Sequence, residues 1–376
     1  DRFSFSYLYT EFENEYRNRN LLYLVGGVAP GAFSTSFTHG IAGRGEVSIN
    51  VNQAAKHTET SMPTLTYRHD GPVWKADAGL GSSYSTNYYY AGQRGFIGAG
   101  DARRTGLTVA FDEIGYLRPG KITVTDAAGA PVDANNLSNY VLTQAGGAER
   151  NSYDRISNTF VNAGRDVTLL GTTLKLKTGL DGRRQERAIH GKSPIYPFIG
   201  RDGRATTTPT DPAGSDDGAA VVVGESIAQR VNQFGFGNIQ WIDPRKLLAY
   251  YTANPSYFTE NLNNSYLANV NASKRAQEDI VSAYVRTDFG FFNRRLRVVV
   301  GVRAEQTNVV ADGPRRDPTL NYQRDAQGRV VLGPTGLPVP VVPTSDALGV
   351  SQRTLLERGT HVNKEYLRWF PNLNAS

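Results

Sequence analysis

Ser282-Ala283-Tyr284-Val285-Arg286-Thr287-Asp288-Phe289, a turn at Phe292-Asn293-Arg294, then Leu296-Arg297-Val298-Val299-Val300-Gly301-Val302-Arg303-Ala304-Glu305 decide how this chain is read. Side chains of a strand alternate between its two faces. In the second run Leu296, Val298, Val300, Val302 and Ala304 share one face, and Arg297, Val299, Gly301, Arg303 and Glu305 share the other. An apolar strand face opposite a charged one, with no helix to cover it, suits a barrel wall between hydrocarbon and water.

The pattern recurs toward the N-terminus. Phe3, Phe5, Tyr7 and Tyr9 alternate with smaller residues, and Asp70-Gly71 is a strong hairpin signal after Met62–Arg68. The return strand sets Trp74, Ala76, Ala78 and Leu80 against Lys75, Asp77, Gly79 and Gly81. Further runs cover Leu107, Val109 and Phe111, a turn at Arg118-Pro119-Gly120, and Ile122–Thr125. Another rises from Arg155 to Val167, turns at Leu170-Gly171, and returns through Leu174, Leu176, Thr178 and Leu180 with Lys175, Lys177, Asp181 and Arg183 opposite. The last begins at Lys364 and includes Tyr366, Trp369 and Phe370. These runs predict an all-β fold: an open, partial antiparallel transmembrane β-barrel of roughly ten strands. The tight turns at Asp70, Arg118, Gly171 and Asn293 are expected at one, periplasmic, end.

Composition is compatible with that wall. The chain has 376 residues, no cysteine, 20 tyrosines and 39 glycines, with a formal net charge of +6. Without cysteine there is no disulfide framework, thiolate metal site or cysteine nucleophile. A mean hydropathy of -0.42 does not count against a barrel, because only alternate strand residues meet lipid. The basic charge is scattered, which favours acidic lipopolysaccharide or an anionic ligand over nucleic acid. Two stretches, about 190–277 and 312–358, lose the alternation and are expected as long outer loops. Asp243-Pro244 predicts a helix start, with a second short helix expected around Pro255–Leu262. The first residue is Asp1 and the last is Ser376, which reads as an internal piece of a longer polypeptide, the whole of it barrel wall and loops. Half a barrel in water is expected to aggregate through its open edges and apolar band.

From Glu278 to Asp288, from Leu296 to Thr307 and from Tyr366 to Asn374 the sequence resembles the barrel of a TonB-dependent outer-membrane receptor. The Arg68–Lys75 hairpin and Lys175–Arg187 fit the same family. The resemblance implies a barrel of about twenty-two strands when complete. It also implies a plug domain, driven by TonB with ExbB and ExbD, that is absent from these residues.

Candidate sites follow from position. Tyr88, Tyr89, Tyr90, Phe96, Phe234, Phe236, Trp241, Tyr250, Tyr251 and Tyr257 lie in or beside outer loops. Six of them (Tyr88, Tyr89, Tyr90, Trp241, Tyr250 and Tyr251) are the candidates for stacking on a small molecule or oligosaccharide. Packing of loop on loop, or an interfacial girdle, is the plainer account of such rings. Lys175, Lys177, Arg183, Arg297 and Arg303 are expected to face the lumen, either drawing in an anionic substrate or pairing with neighbours such as Glu305; Arg286 beside Asp288 is a further such pair. His39 and His57 have no metal-ligand spacing, Asp216-Asp217-Gly218 reads as a polar turn, and Gly95, Gly98 and Gly100 do not form a phosphate loop. No metal, cofactor or catalytic constellation is expected.

The leading expectation is therefore a receptor importing a scarce nutrient such as a ferric siderophore, cobalamin or an oligosaccharide, embedded in the outer membrane of a Gram-negative bacterium. A passive porin-type channel and a β-rich surface adhesin that binds glycans are the alternatives. The adhesin requires the apolar strand face to lie beneath a second sheet.

Overall fold

The computed structural model describes residues 1–376 except 117, 148, 170–171, 208–215, 225–236 and 293–294. Its strands are β1 Arg2–Leu24, β2 Val28–Phe33, β3 Thr38–Gly40, β4 Gly45–Asp70, β5 Trp74–Tyr90, β6 Ala99–Gly115 and β7 Arg118–Thr125. They continue as β8 Val141–Gly146, β9 Glu149–Leu169, β10 Thr172–Lys192, β11 Ile195–Pro197, β12 Lys274–Phe291, β13 Leu296–Arg316 and β14 Leu355–Ala375. All fourteen belong to one open sheet, ten of them along the path β11-β8-β6-β4-β5-β9-β10-β12-β13-β14. Every ladder is antiparallel.

Long strands β1, β4, β5, β9, β10, β12, β13 and β14 make the wall, in that order across the sheet. Their register puts the short connections at one end. Asp70 faces Lys75, Trp74 faces Arg165, Leu174 faces Phe289, and Phe291 faces Leu296. The expected turns at Leu170-Gly171 and Asn293-Arg294 fall outside the described residues, but the strands flanking them converge at this end. The described residues within 25–44, 91–148, 193–273 and 317–354 belong to the connections at the other end.

One expected turn is misplaced by the sequence reading. The turn before Arg118 lies at the long-connection end, opposite Asp70. β6 starts beside Asn52, reaches Gly45 with Leu107, and runs on past the start of β4 before β7 folds back along it. Leu107 and Val109 are fully buried, not facing solvent or lipid. Alternation looks the same whether the apolar face meets hydrocarbon or a protein core, so the sequence could not separate this hairpin from the wall.

What buries it is a cap over the long-connection end. Val47, Ile49 and Val51 at the top of β4 join Leu107, Val109, Leu137, Tyr140, Leu142, Phe198, Ile242 and Leu247 in one core. Burial of each such aliphatic or Phe side chain contributes about 1.5–3 kcal/mol. Helix α1, Pro244–Ala253, starts where expected, its Asp243 carboxylate accepting the N–H groups of Arg245 and Lys246. The second helix begins later than expected. Pro255–Tyr257 makes one 3-10 turn, and α2 spans Leu262–Ala272, capped by Asn261. Within 312–358 the loop is partly ordered as α3, Ala347–Thr354, capped by Asp346 onto Gly349 N–H at 2.8 Å.

Candidate functional site

The wall has two faces of opposite chemistry, and register carries each from strand to strand. One row runs Phe3, Tyr67, Ala78, Val161, Leu180, Ala283, Ala304, Trp369. The next runs Ala76, Ala163, Thr178, Val285, Val302, Pro371, and below it Leu176, Thr287, Val300 and Leu373 align. This face is bare. Leu180 is 57% exposed, Val281 61%, Val300 42% and Leu373 72%. Leu296, Val298, Val300 and Val302 are not buried, so among the described residues no second sheet covers them as an adhesin sandwich would require.

On β12 this apolar stretch extends from Val281 to Phe291. Its ten residue steps of about 3.3 Å give roughly 33 Å along the strand. Tilted by about 40°, that is roughly 25 Å in height, the thickness of the apolar band of outer-membrane barrels.

The opposite face is polar and internally bonded. Asn162 donates from Nδ2 to Asp77 at 2.6 Å and accepts at Oδ1 from the Tyr284 hydroxyl at 2.7 Å, while Lys177 Nζ stands 3.7 Å from Asp77. Gly179 makes room for this chain: a Cβ there would collide with the Asn162 amide and the Tyr284 ring. A glycine inside a strand is a sequence signal for such close approach, and it was passed over. Arg286 donates to Asp288 at 2.7 and 2.9 Å, and Arg297 to the same carboxylate at 2.8 Å. Arg303 lies 3.1 Å from Glu305 and 3.6 Å from Asp181. The neighbour pairs anticipated at Arg286 and Arg303 are thus present.

All five expected lumen residues share this face. Lys175 and Lys177 line a cleft of about 610 Å³ near the short-turn end, with Arg68, Asp77 and Asp288. Lys175 sits in register between Asp166 and Asp288, and Arg183 donates to the neutral Gln185 at 2.9 Å.

The six candidate aromatics do not converge. Strand alternation sends Tyr89 to the polar face, between Lys56 and Arg150, whose charges lie 5.8 and 4.9 Å from the ring centroid. Tyr88 and Tyr90 point the other way; Tyr90 packs on Ala55, Ala91 and Phe96, with the Arg94 guanidinium 5.3 Å from its ring. Trp241, Tyr250 and Tyr251 pack against the cap core. There Tyr250 and Tyr251 join Tyr196, Phe198, Tyr257 and Phe258, with ring centroids 5.0–6.5 Å apart. Burial pushes the Tyr196 and Tyr250 hydroxyls up from their ordinary pKa. Phe234 and Phe236 lie outside the described residues.

A second cleft, about 690 Å³, opens on the polar face at the cap end. Asn87, Ser152, Asp154, Arg187 and Lys274 give it polar edges, and Ile189, Ala276, Ala311 and Val362 an apolar floor. The sequence reading missed it because its parts come from six strands.

Among the described residues no three His, Asp or Glu side chains are grouped to hold a metal. His39 bonds to Asp112 at 2.7 Å and His57 to Glu59 at 3.0 Å, so the two histidines serve different neighbours. The Asp216-Asp217 turn differs from its expected character. Asp216 accepts the N–H groups of Arg201 and Asp202, but Asp217 is fully buried. Burial, then the adjacent Asp216 charge, push its pKa up to about 6.

No family model and no curated protein sequence matches the chain. A solved structure with a similar outline is the ferric-catecholate import receptor Fiu from Escherichia coli K12, in its closed form. Identity is 9% and the TM-score 0.28, over 98% of this chain and 47% of that one. The chain thus spans about half the length of that receptor, and a likeness this distant bears on neither family nor substrate.

Proposed function

We propose that the chain is wall and outer loops of a Gram-negative outer-membrane β-barrel of the TonB-dependent receptor kind, importing a scarce nutrient such as a ferric siderophore, cobalamin or an oligosaccharide. One observation carries this reading: the uncovered apolar band, in register across the long strands and of bilayer height, backed by a charged face. In water such a band is an association surface; in a bilayer it is matched to its solvent.

In this reading the band meets lipid and lipopolysaccharide, the polar face borders the passage, and the cap meets ligand first. Ion pairs along Asp77, Asp288 and Glu305 keep the passage wall charged yet rigid. Energy would come from TonB, with ExbB and ExbD, acting through a plug. The test is energised uptake by the protein in outer membranes, with and without TonB. Accumulation that requires TonB supports the reading, and free passage without it points to a porin. Recovery as a soluble protein without detergent removes the membrane reading altogether.

A further inference from the structure

The cleft at the cap end has a charge pattern that the ion-pair network does not account for. Three rows of the polar face lie nearest the cap. They run Lys56, Tyr89, Arg150; then Thr58, Asn87, Ser152, Ile189, Lys274; then Ser85, Asp154, Arg187, Ala276, Ala311, Val362. These rows hold four cations and one carboxylate, and that carboxylate, Asp154, is bonded to Arg187 and Gln185. Lys56, Arg150 and Lys274 have no carboxylate partner among the described residues. Half a wall away, Arg286, Arg297 and Arg303 are all paired. Tyr89 is stacked with the Arg150 guanidinium, which holds that charge toward the mouth. Arg150 and Lys274 stand two strand spacings and one row apart, about 12 Å between backbones, so their long side chains can close on one anionic group. Beneath that point lies the apolar floor of Ile189, Ala276, Ala311 and Val362.

We propose that this cleft is a binding site for a small molecule with an anionic group and an apolar, ring-sized body. The anion is held between Lys274, which lines the cleft, and Arg150, which reaches over it from the next row toward the cap, with Lys56 adding field, and the body lies on the aliphatic floor. A volume of about 690 Å³ is in the range of small-molecule sites. The inference rests on the reading that this face borders a water-filled passage, and it narrows the cargo to anionic amphiphiles.

The test uses one apolar body in three charge states: 1-naphthyl phosphate, 1-naphthol and 1-naphthylmethylammonium, titrated into detergent-purified protein. The phosphate is expected to bind at least tenfold more tightly than the naphthol, the cation not at all, and the preference to shrink with salt. In the double variant Arg150→Gln and Lys274→Gln the phosphate loses at least tenfold while naphthol binding holds. Lys121→Gln, in the cap hairpin, changes neither. Equal binding of the three probes to the unmodified protein overturns the proposal, as does an unaltered phosphate affinity in the double variant. The comparison of probes needs no variant, so misfolding cannot rescue it. A protein that fractionates with outer membranes but treats the probes alike loses this inference and keeps the transport reading. One that prefers the phosphate but is soluble without detergent keeps the anion-binding cleft and loses the transport reading, and with it the narrowing of the cargo.

Discussion

Placing an arginine at Val300 or at Val299 asks the wall which side is greasy. The two residues are neighbours in β13, and alternation puts them on opposite faces. Val300 stands between Thr287 and Leu373 near the middle of the apolar band, and Val299 stands between Asp288 and Asn374 on the polar face. In a bilayer, arginine on the lipid face near the midplane costs about 2–4 kcal/mol. At about 1.4 kcal/mol per tenfold, that is a loss of roughly 30- to 700-fold in the folding equilibrium. Were the band an ordinary wet surface, Val300→Arg would stay within about 0.5 kcal/mol of neutral. Val299→Arg places its charge beside Asp288 and water, and is expected to remain within that smaller range in either case.

The measurement is reversible urea unfolding in short-chain phosphatidylcholine vesicles, followed by tryptophan fluorescence and by the gel shift between heated and unheated samples. The expected result is a midpoint lowered for Val300→Arg alone, with an unchanged slope. Equal shifts for the two variants would refute the assignment of faces, and with it the membrane reading.

Other expectations concern the cap and the polar face. Asp217 has a folded pKa of about 6 against an ordinary 3.8, so its contribution is most favourable at low pH and is lost as pH rises through that window. Two units correspond to about 3 kcal/mol at most. Asp217→Asn should therefore protect the cap against proteolysis at pH 7.5 and not at pH 3.5; the opposite pH order would show that the carboxylate is stabilised as an anion. Asp243→Ala removes the α1 cap and should cost about 1 kcal/mol, seen as faster amide exchange in 244–253 with the wall unaffected. Gly179→Ala drives a methyl into Asn162 and Tyr284, and is expected to destabilise the wall by about 1–3 kcal/mol; a neutral result would mean the Tyr284–Asn162–Asp77 chain has slack.

Much of the wall was legible because its signal has period two. Leu296 to Ala304 and Trp74 to Leu80 each show their apolar set within one strand, and Asp70-Gly71 marks its own turn. Asp243-Pro244 was equally local. The β6–β7 hairpin was misassigned because Leu107 and Val109 alternate as lipid-facing residues do, although their solvent is the cap core. β4 shows the same ambiguity within one strand. Val47, Ile49 and Val51 share a face with Leu65 and Tyr67, yet the first three are buried in the cap and the last two belong to the bare band. The cap-end cleft was illegible for another reason. Arg150, Lys274 and Val362 are more than two hundred residues apart at the extremes, and only strand register brings them to one place.

The cap core draws on Val47, Leu107, Leu137, Phe198, Ile242 and Phe258. A chain made from its N-terminus must therefore wait for about two hundred residues before that core can close. By then β4, β5, β9 and β10 have all been synthesised, each leading into or out of unfinished cap. During this interval the cap's aliphatic side chains have no shelter, and they lie at the strand ends farthest from the short turns. Assembly is therefore a matter of timing: until Phe258 arrives, something other than the chain itself must keep these residues from sticking to one another, or to neighbouring copies.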